Sequence, residues 1–167
     1  MFRVLQYGRK TEAPSKLQQQ LVYEIKNRFK HLSPQEEDVD GDICIKIGPS
    51  KNIGLLWTSI SENMVTIGLP DILYHTHIEP DRYSHLKLSD DDMMRKIIDD
   101  SLAFIADIVE DRIYFRYHLR KGKNIRTEII DRHDNTVRES VAHTFFELFF
   151  KNRIKREFKM YRWSDAK

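Results

Sequence analysis

After Arg112 the apolar spacing switches from helical to twofold, and that switch constrains the fold more than any other stretch of the chain. Before it, Met94, Ile97, Ile98, Leu102, Ile105 and Val109 form one apolar stripe at helical spacing. After it, Ile113, Phe115, Tyr117 and Leu119 alternate with Tyr114, Arg116, His118 and Arg120. Lys121-Gly122-Lys123-Asn124 turns the chain, and Ile125, Thr127 and Ile129 return on the same period. A long helix with one flat apolar face followed by a half-buried hairpin predicts an α+β domain with antiparallel pairing. The hairpin's outer face would carry Arg116, Arg120 and Arg126, with His118 among them.

The segments upstream fit the same class. Phe2 to Tyr7 reads as a short strand, and Pro14 suits the first turn of a helix carrying Leu17, Leu21, Ile25 and Phe29. Ser33-Pro34 stops that helix. Gln35 to Asp42 is acidic, has little to bury, and is expected to be a mobile linker. Ile43, Ile45 and Ile47 mark a strand, and Ile53–Ile60 with Met64–Leu69 a hairpin. Ser89 with Asp92 three residues on is a variant capping box for the long helix, whose first turn is Asp90-Asp91-Asp92. Downstream, Asp134 or Asn135 is expected to cap a third helix with Val137, Val141, Phe145, Leu148 and Phe149 on its apolar face. Phe146 and Phe150 widen that face enough to predict deep burial or a homodimer seam. The expectation is one α+β domain over residues 1–167: a mostly antiparallel sheet of about six or seven strands with three helices, mainly on one face.

A chain of 167 residues can bury a sizeable core without disulfides, and the single cysteine, Cys44, reads as an inert structural thiol. No apolar run approaches membrane-spanning length, and the first residues lack a signal-peptide pattern, so the cytoplasm is the expected location. Net charge is only +2, but it is polarised. Residues 71–111 hold 11 acidic and 4 basic side chains, whereas residues 112–167 hold 15 basic and 7 acidic. Either the two segments neutralise each other or each offers a charged face to a partner.

Dinucleotide, P-loop and nucleophile-elbow motifs are absent, which argues against those enzyme classes. One stretch carries metal chemistry: His75-Thr76-His77-Ile78-Glu79, read as part of a polar loop. If extended, it points His75, His77 and Glu79 to the same side, and two imidazoles with a carboxylate could hold a divalent metal for an enzyme. Asp81 is the alternative acid, in the spacing seen in cupins, but no glycine or second motif follows and three helices sit badly with a small barrel. A second stretch suits nucleic acid. Arg153, Lys155, Arg156, Lys159 and Arg162 are interleaved with Phe158, Tyr161 and Trp163, a pattern for phosphate contact and base stacking.

The layout from Ile53 to Asp131 resembles that of small immunity proteins encoded beside bacterial polymorphic and contact-dependent toxins. The resemblance rests on a hairpin ending near Gly68, then His75-Thr76-His77, an acidic helix ending in Phe104 to Glu110, Ile113-Tyr114-Phe115 and a Lys-Gly-Lys turn. It implies a non-enzymatic inhibitor of a basic toxin domain, acting through an acidic surface. Glu79, Asp81, Asp90, Asp91 and Asp92 would supply that surface.

Overall fold

The computed structural model describes residues 13–50, 54–70, 74–120, 123–142 and 157–164. Helix α1 (Lys16–Arg28) opens on a complete capping box. The Ser15 hydroxyl accepts from Gln18 N at 3.2 Å, and the Ser15 amide donates to Gln18 Oε1 at 2.7 Å. Leu17, Leu21, Ile25 and Phe29 are buried at the predicted spacing. Gln18 is buried beside them because its side-chain amide is fully used, donating to the carbonyls of Gly41 and Ile60 at 3.0 and 2.9 Å.

Strands β1 (Gln35–Val39), β2 (Asp42–Ser50), β3 (Gly54–Ile60), β4 (Val65–Leu69) and β5 (Tyr74–Ile78) pair in chain order as an antiparallel meander. The expected linker at Gln35–Asp42 is therefore an edge strand and its turn. Asp40 and Gly41 both have positive φ, 56° and 92°, the geometry of a two-residue hairpin loop, and Val39 pairs with Asp42. Every β1 side chain is exposed, and Glu36 and Glu37 pair with Lys26 and Lys46. Charge of this kind protects an open sheet edge, so a segment with little to bury is still a strand.

Helix α2 (Asp90–Val109) touches α1, β4 and β5, and also β6 (Ile113–Arg120) of a second sheet. That sheet contains β7 (Lys123–Asp131), β8 (Val137–Ala142) and β9 (Glu157–Tyr161) in the order β8-β7-β6-β9, all antiparallel. One core runs through both sheets and both helices: Ile45, Ile67, Ile105 and Phe115 are each no more than 1% exposed. The class is α+β as expected, but among the described residues nine strands in two sheets replace the single sheet of six or seven.

The third helix is corrected where it can be seen. Val137–Ala142 is strand β8, paired with β7 through Val141–Thr127 and Val137–Ile130; Val137 and Val141, four residues apart, fit a strand's twofold period as well as a helical one. Asp134, expected as a helix cap, accepts from Thr136 N at 2.9 Å and shapes the turn into β8. The rest of that proposed helix, and with it the homodimer seam, lies outside the described residues, as does the strand expected at Phe2–Tyr7. No helix among the described residues is long and apolar enough to cross a membrane.

Candidate functional site

The residues singled out in the sequence fall on three parts of the fold. The first is the flank formed by the 3-10 helix Pro80–Leu86 and the first turns of α2. Ser89 caps α2 by accepting from Asp92 N at 3.2 Å, which sets Asp90, Asp91 and Asp92 in the first turn. The 3-10 helix is anchored by Tyr83, whose buried hydroxyl donates to Asp100 at 2.7 Å while Lys96 lies over its ring. Burial, then the Asp100 contact, pushes the Tyr83 phenol above its ordinary range. Burial alone would raise the Asp100 carboxyl, but Lys96 at 2.7 Å and the Tyr83 hydroxyl hold it below its ordinary value. Glu79, Asp81, Asp90, Asp91 and Asp92 are all exposed, and none forms an ion pair with another described residue.

The far end of α2 is different. Arg138 Nη1 reaches Asp107 Oδ2 at 2.6 Å, and its Nε donates to Asp131 Oδ2 at 2.8 Å. Arg112 pairs with Asp107 at 3.4 Å and with Glu110. Asp111, buried and left-handed at φ 55°, accepts from Ser164 N at 3.0 Å. A cleft of about 570 Å³ lies here between Arg112, Asp131, Arg132, His133 and Arg138, but Arg112 and Arg138 are already matched to carboxylates. The acidic and basic segments therefore neutralise each other at this end of the helix and leave the other end charged. Sequence reasoning passed over Asp107, Asp131 and Arg138 because the contacts join residues up to 31 positions apart.

The second part is strand β5. His75 and His77 are exposed on one side of it, and Glu79 continues the extended backbone at φ −139° and ψ 162°. The histidine stretch expected as a loop is mostly a strand paired with β4. Among the described residues no three His, Cys, Asp or Glu side chains stand close enough together to hold a metal as they are placed.

The third part is the basic face. Lys159 is exposed on β9, and Arg162 lies over the Tyr114 ring at 5.8 Å. Arg153, Lys155 and Arg156 lie outside the described residues. Arg116 and His118, read as solvent-facing, surround a buried acid that sequence reasoning missed: Glu128 stands 2.8 Å from His118 Nε2 and 2.7 Å from Arg116 Nη2. Burial would raise the Glu128 carboxyl, but His118 and Arg116 hold it below its ordinary value. The twofold alternation put Glu128 on this face but could not say that the face is covered.

Fold and site together define a two-sheet α+β protein with a charged flank and without a recognisable catalytic constellation among the described residues. Comparison with protein-family models, curated proteins and solved structures finds no match.

Proposed function

We propose that the chain is a protein-binding, inhibitor-type domain of the immunity kind, which neutralises a basic partner through Glu79, Asp81, Asp90, Asp91 and Asp92. One observation carries this reading: these five carboxylates are exposed and make no ion pair to another described residue, while the acids at the other end of the same helix are matched by arginine. Unmatched exposed charge on a rigid element attracts an oppositely charged surface, raises the encounter rate and discriminates against wrong partners. Capping by Ser89 and the Tyr83–Asp100–Lys96 contacts hold the flank in place before any partner arrives, so little ordering entropy opposes binding. The resemblance in layout to immunity proteins supports the same direction.

The test uses the product of the gene adjacent to the one encoding this chain. The native chain is expected to bind it and suppress its toxicity. A variant carrying Glu79→Gln with Asp81, Asp90, Asp91 and Asp92 each changed to Asn is expected to fold and to bind at least ten times more slowly. Equal binding by the native chain and this variant would end the reading.

A further inference from the structure

We propose that the outward side of β5 is a binding site for one divalent transition-metal ion of the zinc, nickel or copper group, ligated by His75 and His77 and completed by Glu79. The proposal needs none of the assumptions of the partner-binding reading and shares only Glu79 with it.

The two imidazoles are placed as a chelating pair. Residues two apart on an extended strand share a side, and both histidines are exposed. Their ring centres are 5.1 Å apart and their planes 72° apart. Two imidazoles bound to one ion through nitrogen bonds of about 2 Å at a roughly tetrahedral angle have ring centres about 5 Å apart. The separation already present is the one that a shared ion would impose.

A second, independent feature is the hydrogen bond behind His77. Its Nδ1 lies 2.9 Å from the Thr66 hydroxyl on β4, in the register position directly opposite. With that hydroxyl accepting, Nδ1 carries the ring proton and the lone pair of Nε2 is left to an ion. Metal-bound histidines are usually held by such a contact on the second ring nitrogen, which fixes tautomer and ring direction. Thr66 is itself buried, so the anchor is rigid. His75 makes no hydrogen bond to another described residue, and its register partner on β4 is Gly68. The Trp57 indole occupies the space over Gly68, so that a Cβ there would meet the ring at 2.5 Å.

Glu79 supplies the third donor. Its backbone prolongs the strand geometry, so its side chain leaves on the same side as His75 and His77. It is exposed and has no ion-pair partner among the described residues, so it can turn toward the ion at the cost of one side chain's rotamer freedom. Two imidazoles and one carboxylate, with the remaining positions open to water, suit zinc, nickel or copper better than magnesium or calcium.

The experiment is calorimetric titration of Zn²⁺ into the full chain without an affinity tag, with melting curves taken in the absence of metal. One equivalent is expected. His75→Ala and His77→Ala should each weaken binding at least tenfold, and the double variant should abolish it. Glu79→Gln should weaken it less. Thr66→Val should weaken it 10- to 100-fold while leaving the metal-free melting temperature within a degree or two, which a merely structural threonine would not do. Absence of saturable Zn²⁺ binding overturns the proposal. Stoichiometric binding that survives in the double variant also overturns it, because the ion would then sit on other residues.

Discussion

Asp90, Asp91 and Asp92 at the start of α2, and Asp107, Glu110 and Asp111 at its end, are the same chemistry in two settings. At the start, the carboxylates meet the positive end of the helix dipole and solvent. At the end, where the dipole would repel them, Arg112, Arg138 and the Ser164 amide are brought against them. The lesson is that the −7 balance of residues 71–111 is not itself a surface. Which of its acids remain available depends on where the chain after Arg112 returns. The arginines return to the end where carboxylates are otherwise unfavourable, and the end that the dipole favours is left open.

The contrast holds only if α2 is one rigid rod, and the sharpest way to break it is to loosen its buried face. Ile105, fully buried between the two ends, should cost about 2–5 kcal/mol as Ile105→Ala, read as a lower denaturant midpoint. A loss under about 1 kcal/mol would mean that α2 does not hold the two sheets together.

Arg138→Ala attacks the neutralised end. It leaves Asp107 and Asp131 without that guanidinium, and the melting temperature should fall by about 2–4 °C at low salt and by less at high salt. The acidic start of the helix predicts the opposite: substituting Asp90, Asp91 and Asp92 by Asn together should change stability by less than Arg138→Ala does, because dipole attraction is lost as mutual repulsion is relieved. If the triple variant were the more damaging one, the two ends would have been assigned the wrong way round.

Ser89→Ala should cost about 1 kcal/mol, since it removes the acceptor for Asp92 N. Circular dichroism and denaturant titration together would locate that loss in the helix.

The smallest effect expected is a pH dependence at Asp100, the paired acid of the charged half. Its folded value lies below its ordinary value of 3.8, so the folded chain binds a proton less readily there than the unfolded chain. The stability it contributes is full above that ordinary value and is lost as pH falls through the folded value. Asp100→Asn should therefore lower stability at neutral pH and flatten the acid limb below about pH 4, where native chain and variant converge. An unchanged acid limb would mean that Lys96 and Tyr83 do not favour the charged form.

Most of the helical content was legible before folding was considered. The stripe of α2 and the cap at Ser89 are local patterns, and a local pattern needs only periodicity and a capping side chain to be read. The hairpin β6–β7 was equally open, since alternation and a Lys-Gly turn sit within twenty residues of each other. The misses have a common cause. Strand β1 carries no buried side chain, and β8 carries a pattern that fits two periods, so pairing with a neighbour and not composition made each of them a strand. His75 and His77 were legible as a same-side pair only on the assumption of an extended chain, which pairing of β5 with β4 supplied.

What the sequence determined by itself was the kind of element at each strongly periodic segment, the presence of a cap at Ser89, and the inventory of charge. The tertiary structure decided which charges cancel, that Glu128 is buried between His118 and Arg116, and that His77 has Thr66 behind it. The physical reason is range. Periodicity and capping act over three or four residues and are written in the local order of side chains, whereas an ion pair such as Arg138–Asp107 exists only after the backbone has closed the distance between residues 31 apart in the chain.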